Sequence, residues 1–147
     1  QVDRVIRRGG SSRNFASLTL LRLDPQPGQV VISNAGHPFP LLVVDSEVSE
    51  LVLPGLPLGK GPRRRYLDVT LRLAPGTALV FCSDGLVETQ DWQETPYGFD
   101  RPLEVLRHAP SAPAESLLEI LLADWRRHLG REDPPDDTTI VVVRRAG

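Results

Sequence analysis

Methionine is absent from the 147 residues, lysine occurs only as Lys60, and cysteine only as Cys82. Each shortage excludes something. A chain without methionine has no initiator and reads as a piece of a longer protein. A single cysteine cannot close an internal disulfide, and Cys82 lies inside an apolar run, so the reading is a reducing, cytoplasmic setting. No apolar stretch reaches the ~18 residues that would span a membrane, and no charged-then-apolar leader opens the chain. A formal charge of −2 supplies no global basic field, so nothing in the charge balance calls for a nucleic-acid partner. Zinc spacing is missing too, since the chain has neither a cysteine pair nor a His-Glu-x-x-His motif.

What is present suits one globular domain with a core: 40% apolar and 24% charged residues, with no repeat and no low-complexity tract. Residues 1–14 are polar and arginine-rich, a linker or the end of an upstream helix, and the folded part is expected over 15–147. "FASLTLLRLD" and "QVVISNAG" read as two strands of a hairpin joined through "DPQPG". A third strand is expected at "PLLVV", with a turn at Asp45-Ser46 and a short fourth strand at "ELVLPG". "YLDVTLRL" alternates, with Leu67, Val69, Leu71 and Leu73 on one face. Together with "ALVFC", beyond the Pro75-Gly76 turn, it is expected to form a second hairpin. The period then becomes helical. "PLEVLRHA" predicts a short helix. "SAPAESLLEILLADWRRHLG" predicts a longer one, with Ser111 as cap, Gly130 as stop and a core stripe of Leu117, Leu118, Leu121, Leu122, Trp125 and Leu129. His108 and His128 are expected at the surface, and Arg63-Arg64-Arg65 in a solvated loop. "TTIVVVRR" closes as a β-branched strand. The whole reads as α+β with a mainly antiparallel sheet.

The chemistry sits in two acidic motifs. In "ALVFCSDGL" an apolar strand runs straight into Ser83-Asp84-Gly85, and Asp136-Asp137 precedes the last strand. Taken singly, the first is usually a turn or helix cap and the second a solvated loop. If the last strand pairs antiparallel beside the strand ending at Asp84, the carboxylates meet at one sheet edge. An oxygen-only acidic cluster of that kind suits Mg²⁺ or Mn²⁺. Gly85 lets the backbone turn sharply where the ion approaches.

"FASLTLLRLDPQPGQVVISNAGHPFPLLV", "LPLG", "PGTALVFCSDGLVE", "YGFDR" and "DDTTIVVV" occur in this order. Together they closely resemble the metal-dependent PPM class of protein serine/threonine phosphatases, in the bacterial SpoIIE/RsbU branch, from about Phe15 to Val143. The resemblance implies an antiparallel β-sandwich flanked by helices, with a two-metal Mn²⁺ or Mg²⁺ centre. It implies that Asp84 and Asp136 are the metal ligands and act in catalysis through metal-bound water. Asp137 then stands behind them, and His37 of Asn34-Ala35-Gly36-His37-Pro38 shapes the entrance or is simply a loop histidine bonded to backbone. Cys82 is not a nucleophile on this reading, and Glu88 is either a supporting acid or a helix-start residue. The family's first metal motif, an aspartate followed by Gly-His-Gly, has no counterpart in "QVDRVIRRGGSSRN", so the N-terminal part of the domain is read as missing, and this chain alone is expected to bind metal weakly with little or no turnover. The implied partners are a phosphorylated regulatory protein, such as an anti-sigma-factor antagonist, and an upstream sensor domain. The alternative is a non-catalytic, degenerate PPM-like binding or regulatory module.

Overall fold

The computed structural model describes residues 2–8, 15–24, 28–61, 65–109, 111–130, 134 and 136–146. They divide into two compact units, Gln1–His37 with Val52–Leu73, and Pro38–Leu51 with Ala74–Gly147.

The first unit holds helix α1 (Val2–Arg8) and strands β1 (Leu18–Asp24), β2 (Gln29–Ala35) and β5 (Asp68–Arg72), in the antiparallel order β1-β2-β5. β1 and β2 form the expected hairpin, with Leu18 opposite Ala35 and Asp24 opposite Gln29. Residues 25–27 of the turn lie outside the described residues. β2 is the central strand, and its alternating side chains Val30 and Ile32 are buried. They sit opposite Leu71 and Val69 of β5, so apolar residues face apolar residues across the ladder. α1 is tied to the loop at 59–61: Asp3 accepts the Gly59 amide at 2.8 Å, and Arg7 donates to the carbonyls of Gly61 and Lys60 at 2.9 and 3.0 Å.

The second unit holds β3 (Leu41–Val44), β4 (Glu47–Glu50), β6 (Ala78–Cys82), β7 (Ile140–Arg144), and helices α2 (Asp84–Val87), α3 (Asp100–Arg107) and α4 (Ala114–Leu129). Its sheet runs β4-β3-β6-β7, antiparallel throughout. Neither sheet closes on itself among the described residues. All five residues of β6 are buried, in keeping with its place inside the sheet between β3 and β7. α3 and α4 pack against this sheet, α4 along β7 and α3 along β4. α4 buries Leu117, Leu121, Trp125 and Leu129 into a core shared with Val43, Val80, Leu86 and Leu106. Leu118 and Leu122 of the expected stripe are half-buried.

Three sequence expectations are corrected. β5 and β6 do not form a hairpin: β5 pairs with β2, while β6 pairs with β3 and β7. One-sided β5 matches the alternation of β2, whereas two-sided β6 belongs mid-sheet. The fourth strand is Glu47–Glu50 rather than "ELVLPG", because the tight turn at Asp45-Ser46, with Asp45 at φ 50°, starts pairing at once with Val44 opposite Glu47. The cap of α4 is Pro113, not Ser111. Proline disfavours a helical conformation at the residue before it, so the helix cannot begin at Ala112. Gly130 does end α4, in the left-handed conformation at φ 64°.

Candidate metal centre

β6 and β7 bring the two acidic motifs to one end of their sheet. Their last paired residues are Cys82 and Ile140. Beyond that rung, the Ser83 amide donates to the Thr139 carbonyl at 2.9 Å, and the Thr139 amide donates to Ser83 Oγ at 2.9 Å. Two residues further, the backbones nearly touch: a Cβ placed on Gly85 would lie 2.3 Å from the Asp137 carbonyl oxygen. Only glycine permits that approach. Asp84 precedes one side of this contact and Asp136 the other, and both are exposed.

Both carboxylates are held in the same way. Asp84 Oδ1 accepts the Gly85 amide at 3.0 Å, and Asp136 Oδ1 accepts the Asp137 amide at 2.8 Å. Each aspartate thus spends one oxygen on its own backbone. α2 fixes Asp84 from beneath by burying Gly85, Leu86 and Val87. The buried Thr89 hydroxyl donates to the Gly85 carbonyl at 2.5 Å. Glu88 is exposed, and its amide closes α2 on the Asp84 carbonyl. Thr138, directly after Asp136-Asp137, has a buried Oγ1 with no hydrogen-bond partner.

These residues fit a hard divalent cation in donor type, because every side chain offered is a carboxylate or hydroxyl. They would supply only part of a coordination shell. Among the described residues, no group of three or more His, Cys, Asp and Glu side chains stands close enough to hold a metal. Cys82 offers nothing here: burial pushes its thiol up to about 12, which leaves it inert at neutral pH.

His37 belongs to the first unit and is half-buried. Its amide donates to Asn34 Oδ1 at 3.1 Å, and Asn34 Nδ2 donates to the His37 carbonyl at 2.9 Å and to the Leu53 carbonyl at 2.8 Å. The Asn-Ala-Gly-His stretch is therefore a turn closed by its own asparagine, with Gly36 pressed against Pro57.

A cluster that the sequence did not announce secures the segment after α2. Asp124 on α4 accepts from Tyr97 Oη at 3.0 Å, Arg101 Nε at 2.7 Å and Arg127 at 3.0 Å. The Arg101 hydrogen bond holds its carboxyl below the usual range, and burial raises the Tyr97 phenol. His128, expected at the surface, is half-buried: it meets the Thr95 carbonyl at 3.0 Å and the edge of Tyr97. Tyr97 lies in the loop before α3, Arg101 on α3 and Asp124 on α4, so only the Arg127–Asp124 pair, three residues apart on α4, had a local spacing to reveal it.

With this geometry in place, relatives can be compared. The family described as Stage II sporulation protein E (SpoIIE) matches residues 1–146. The chain belongs to the SpoIIE family. That family is a PPM-type phosphatase group, and the match extends from the acidic motifs to nearly the whole chain. Protein IcfG of Synechocystis sp. is 27% identical over 145 residues, which are 97% of this chain and 23% of that protein. The SiaA-PP2C domain of Pseudomonas aeruginosa superposes with a TM-score of 0.77 at 23% identity, over 97% of this chain and 56% of its own. The PP2C phosphatase domain of Bacillus subtilis SpoIIE, with a fragment of its regulatory domain, gives 0.79 at 19% identity, over 97% of this chain and 42% of its own. A Mn-presoaked structure of that phosphatase domain gives 0.65 at 18% identity, over 88% of this chain and 56% of its own. The fold is that of the PP2C phosphatase domains, α+β with antiparallel sheets and flanking helices. The chain spans roughly half or less of each relative's length.

Proposed function

We propose that this SpoIIE-family chain contributes Asp84 and Asp136 to the metal centre of a protein serine/threonine phosphatase. The supporting observation is the convergence of two strand ends: the Gly85 and Asp137 backbones meet at the rim of β6 and β7, with one carboxylate beside each. Mn²⁺ or Mg²⁺, when bound, would supply charge neutralisation at the phosphate and an acidified water. The chain's own residues hold and orient: Asp84 and Asp136 are exposed and each ties Oδ1 to the next residue's amide, while Asp137 adds a further exposed carboxylate. The proposed substrate is a phosphoserine or phosphothreonine on a bacterial regulatory protein, such as an anti-sigma-factor antagonist. An upstream sensor domain and a cytoplasmic location complete the proposal. No helix among the described residues is long and apolar enough to cross a membrane.

In the full-length protein, Asp84→Asn and Asp136→Asn are each expected to cut Mn²⁺-dependent hydrolysis of a phosphoserine peptide by about a hundredfold or more, while circular dichroism stays native. A wild-type rate in either variant rules the assignment out. One observation favours a second reading, a non-catalytic binding module: the described residues gather no third metal-binding side chain. Full-length wild-type protein that shows no Mn²⁺-dependent turnover would support it.

A further inference from the structure

Ser83 stands at the N-cap of α2, where a serine hydroxyl ordinarily accepts an amide from its own helix. It makes no such bond. Its Oγ instead accepts the Thr139 amide from across the sheet. In an antiparallel rung of this type the two residues exchange both amide-to-carbonyl bonds. Ser83 donates its half, to the Thr139 carbonyl. The returning half, from the Thr139 amide, lands on the side chain rather than on the Ser83 carbonyl. That carbonyl is thereby released from the ladder and accepts the Leu86 amide at 3.1 Å, the first turn of α2.

The hydroxyl therefore does two things at once. It lets the chain leave the strand and enter a helix at Asp84, and it keeps the Asp136–Thr139 lead-in clamped to the sheet. Without it, the Thr139 amide would have to take back the Ser83 carbonyl, undoing the turn that aims Asp84, or let go, freeing the segment that carries Asp136.

We propose that Ser83 is a positioning residue whose hydroxyl stands in for its own carbonyl in the last β6–β7 rung and so sets the spacing of the Asp84 and Asp136 carboxylates. The proposal rests on the metal-centre reading above and adds a residue to it. The test uses the full-length protein with Ser83→Ala and Ser83→Thr. Threonine keeps the hydroxyl and tolerates the extended Ser83 backbone at φ −72° and ψ 163°. Two readouts are taken: hydrogen exchange at the Thr139 amide, and Mn²⁺ affinity from the electron paramagnetic resonance signal of free Mn²⁺. Ser83→Ala is expected to speed Thr139 exchange and weaken Mn²⁺ binding, each by about tenfold, the worth of one hydrogen bond. Ser83→Thr is expected to restore both. Unchanged exchange in Ser83→Ala overturns the clamp. Faster exchange with Mn²⁺ affinity within twofold of wild type overturns the positioning role but leaves the metal centre standing. Wild-type protein that takes up no Mn²⁺ overturns the metal centre, and the spacing role with it.

Discussion

At Gly85 two backbones pass with no room for a side chain, and the consequences are local and sharp. A methyl group there would sit 2.3 Å from a carbonyl oxygen, so one of the two acidic segments must move. Gly85→Ala is expected to cost about 1–3 kcal/mol in urea denaturation, the range of overpacking, and to weaken Mn²⁺ binding alongside. Asp124 carries a pH dependence. Its carboxyl titrates lower when folded because Arg101 donates to it. The unfolded chain therefore binds the proton first as pH falls, and the stabilisation is present above the ordinary carboxylate value, about pH 3.9, and is lost as pH drops through the folded value. Asp124→Asn removes this dependence. Thermal melts of the two proteins should differ most near neutral pH and draw together in acid. Of these residues, the places of Asp84 and Gly85 after one strand and of Asp136 before its neighbour were legible in the sequence, because each flanks a clear apolar run. Asp124 was not, since an aspartate on an amphipathic helix reads as one more polar position.

Among the elements, α4 is the one whose sequence and structure agree most closely. A stripe at helical spacing must be buried somewhere, and Leu121 is fully buried while neighbouring Ile120 is 37% exposed. Leu121→Ala is expected to lose about 2–5 kcal/mol and Ile120→Ala less than about 1, measured by chemical denaturation. Most strands were legible as strands, and the β1–β2 hairpin with them, but the partner of β5 was not. Adjacency in sequence suggested that β5 and β6 pair. The burial of both faces of β6 decided otherwise, and alternation against a continuous run was the clue available. The start of α4 was missed because serine is the commoner cap, while the restriction that Pro113 imposes on its predecessor was left out of the reading.

For the whole molecule, the order of motifs carried more than any one of them: strand-end Asp-Gly, then helices, then Asp-Asp before a strand that returns to the first. The order could be read from the chain, whereas the clasp between Ser83 and Thr139 needed the fold. Two carboxylates leave most of a divalent ion's positions to water. Residues 1–147 alone are therefore expected to bind Mn²⁺ with a Kd on the order of 10⁻⁴ M or weaker, and to hydrolyse a phosphopeptide slowly. Titration followed by Mn²⁺ resonance checks the first and phosphate release the second. Robust turnover by this chain alone would show that two carboxylates suffice.

The pairing of β6 with β7 has a further consequence for biosynthesis. The strand that completes the rim is made last, after α3 and α4 have emerged. Until residue 144 clears the ribosome, one flank of the most apolar strand stays open. A nascent chain at that stage is exposed to adhesion along a bare edge, so a premature stop ahead of Asp136 should yield an aggregate rather than a quiet, inactive protein.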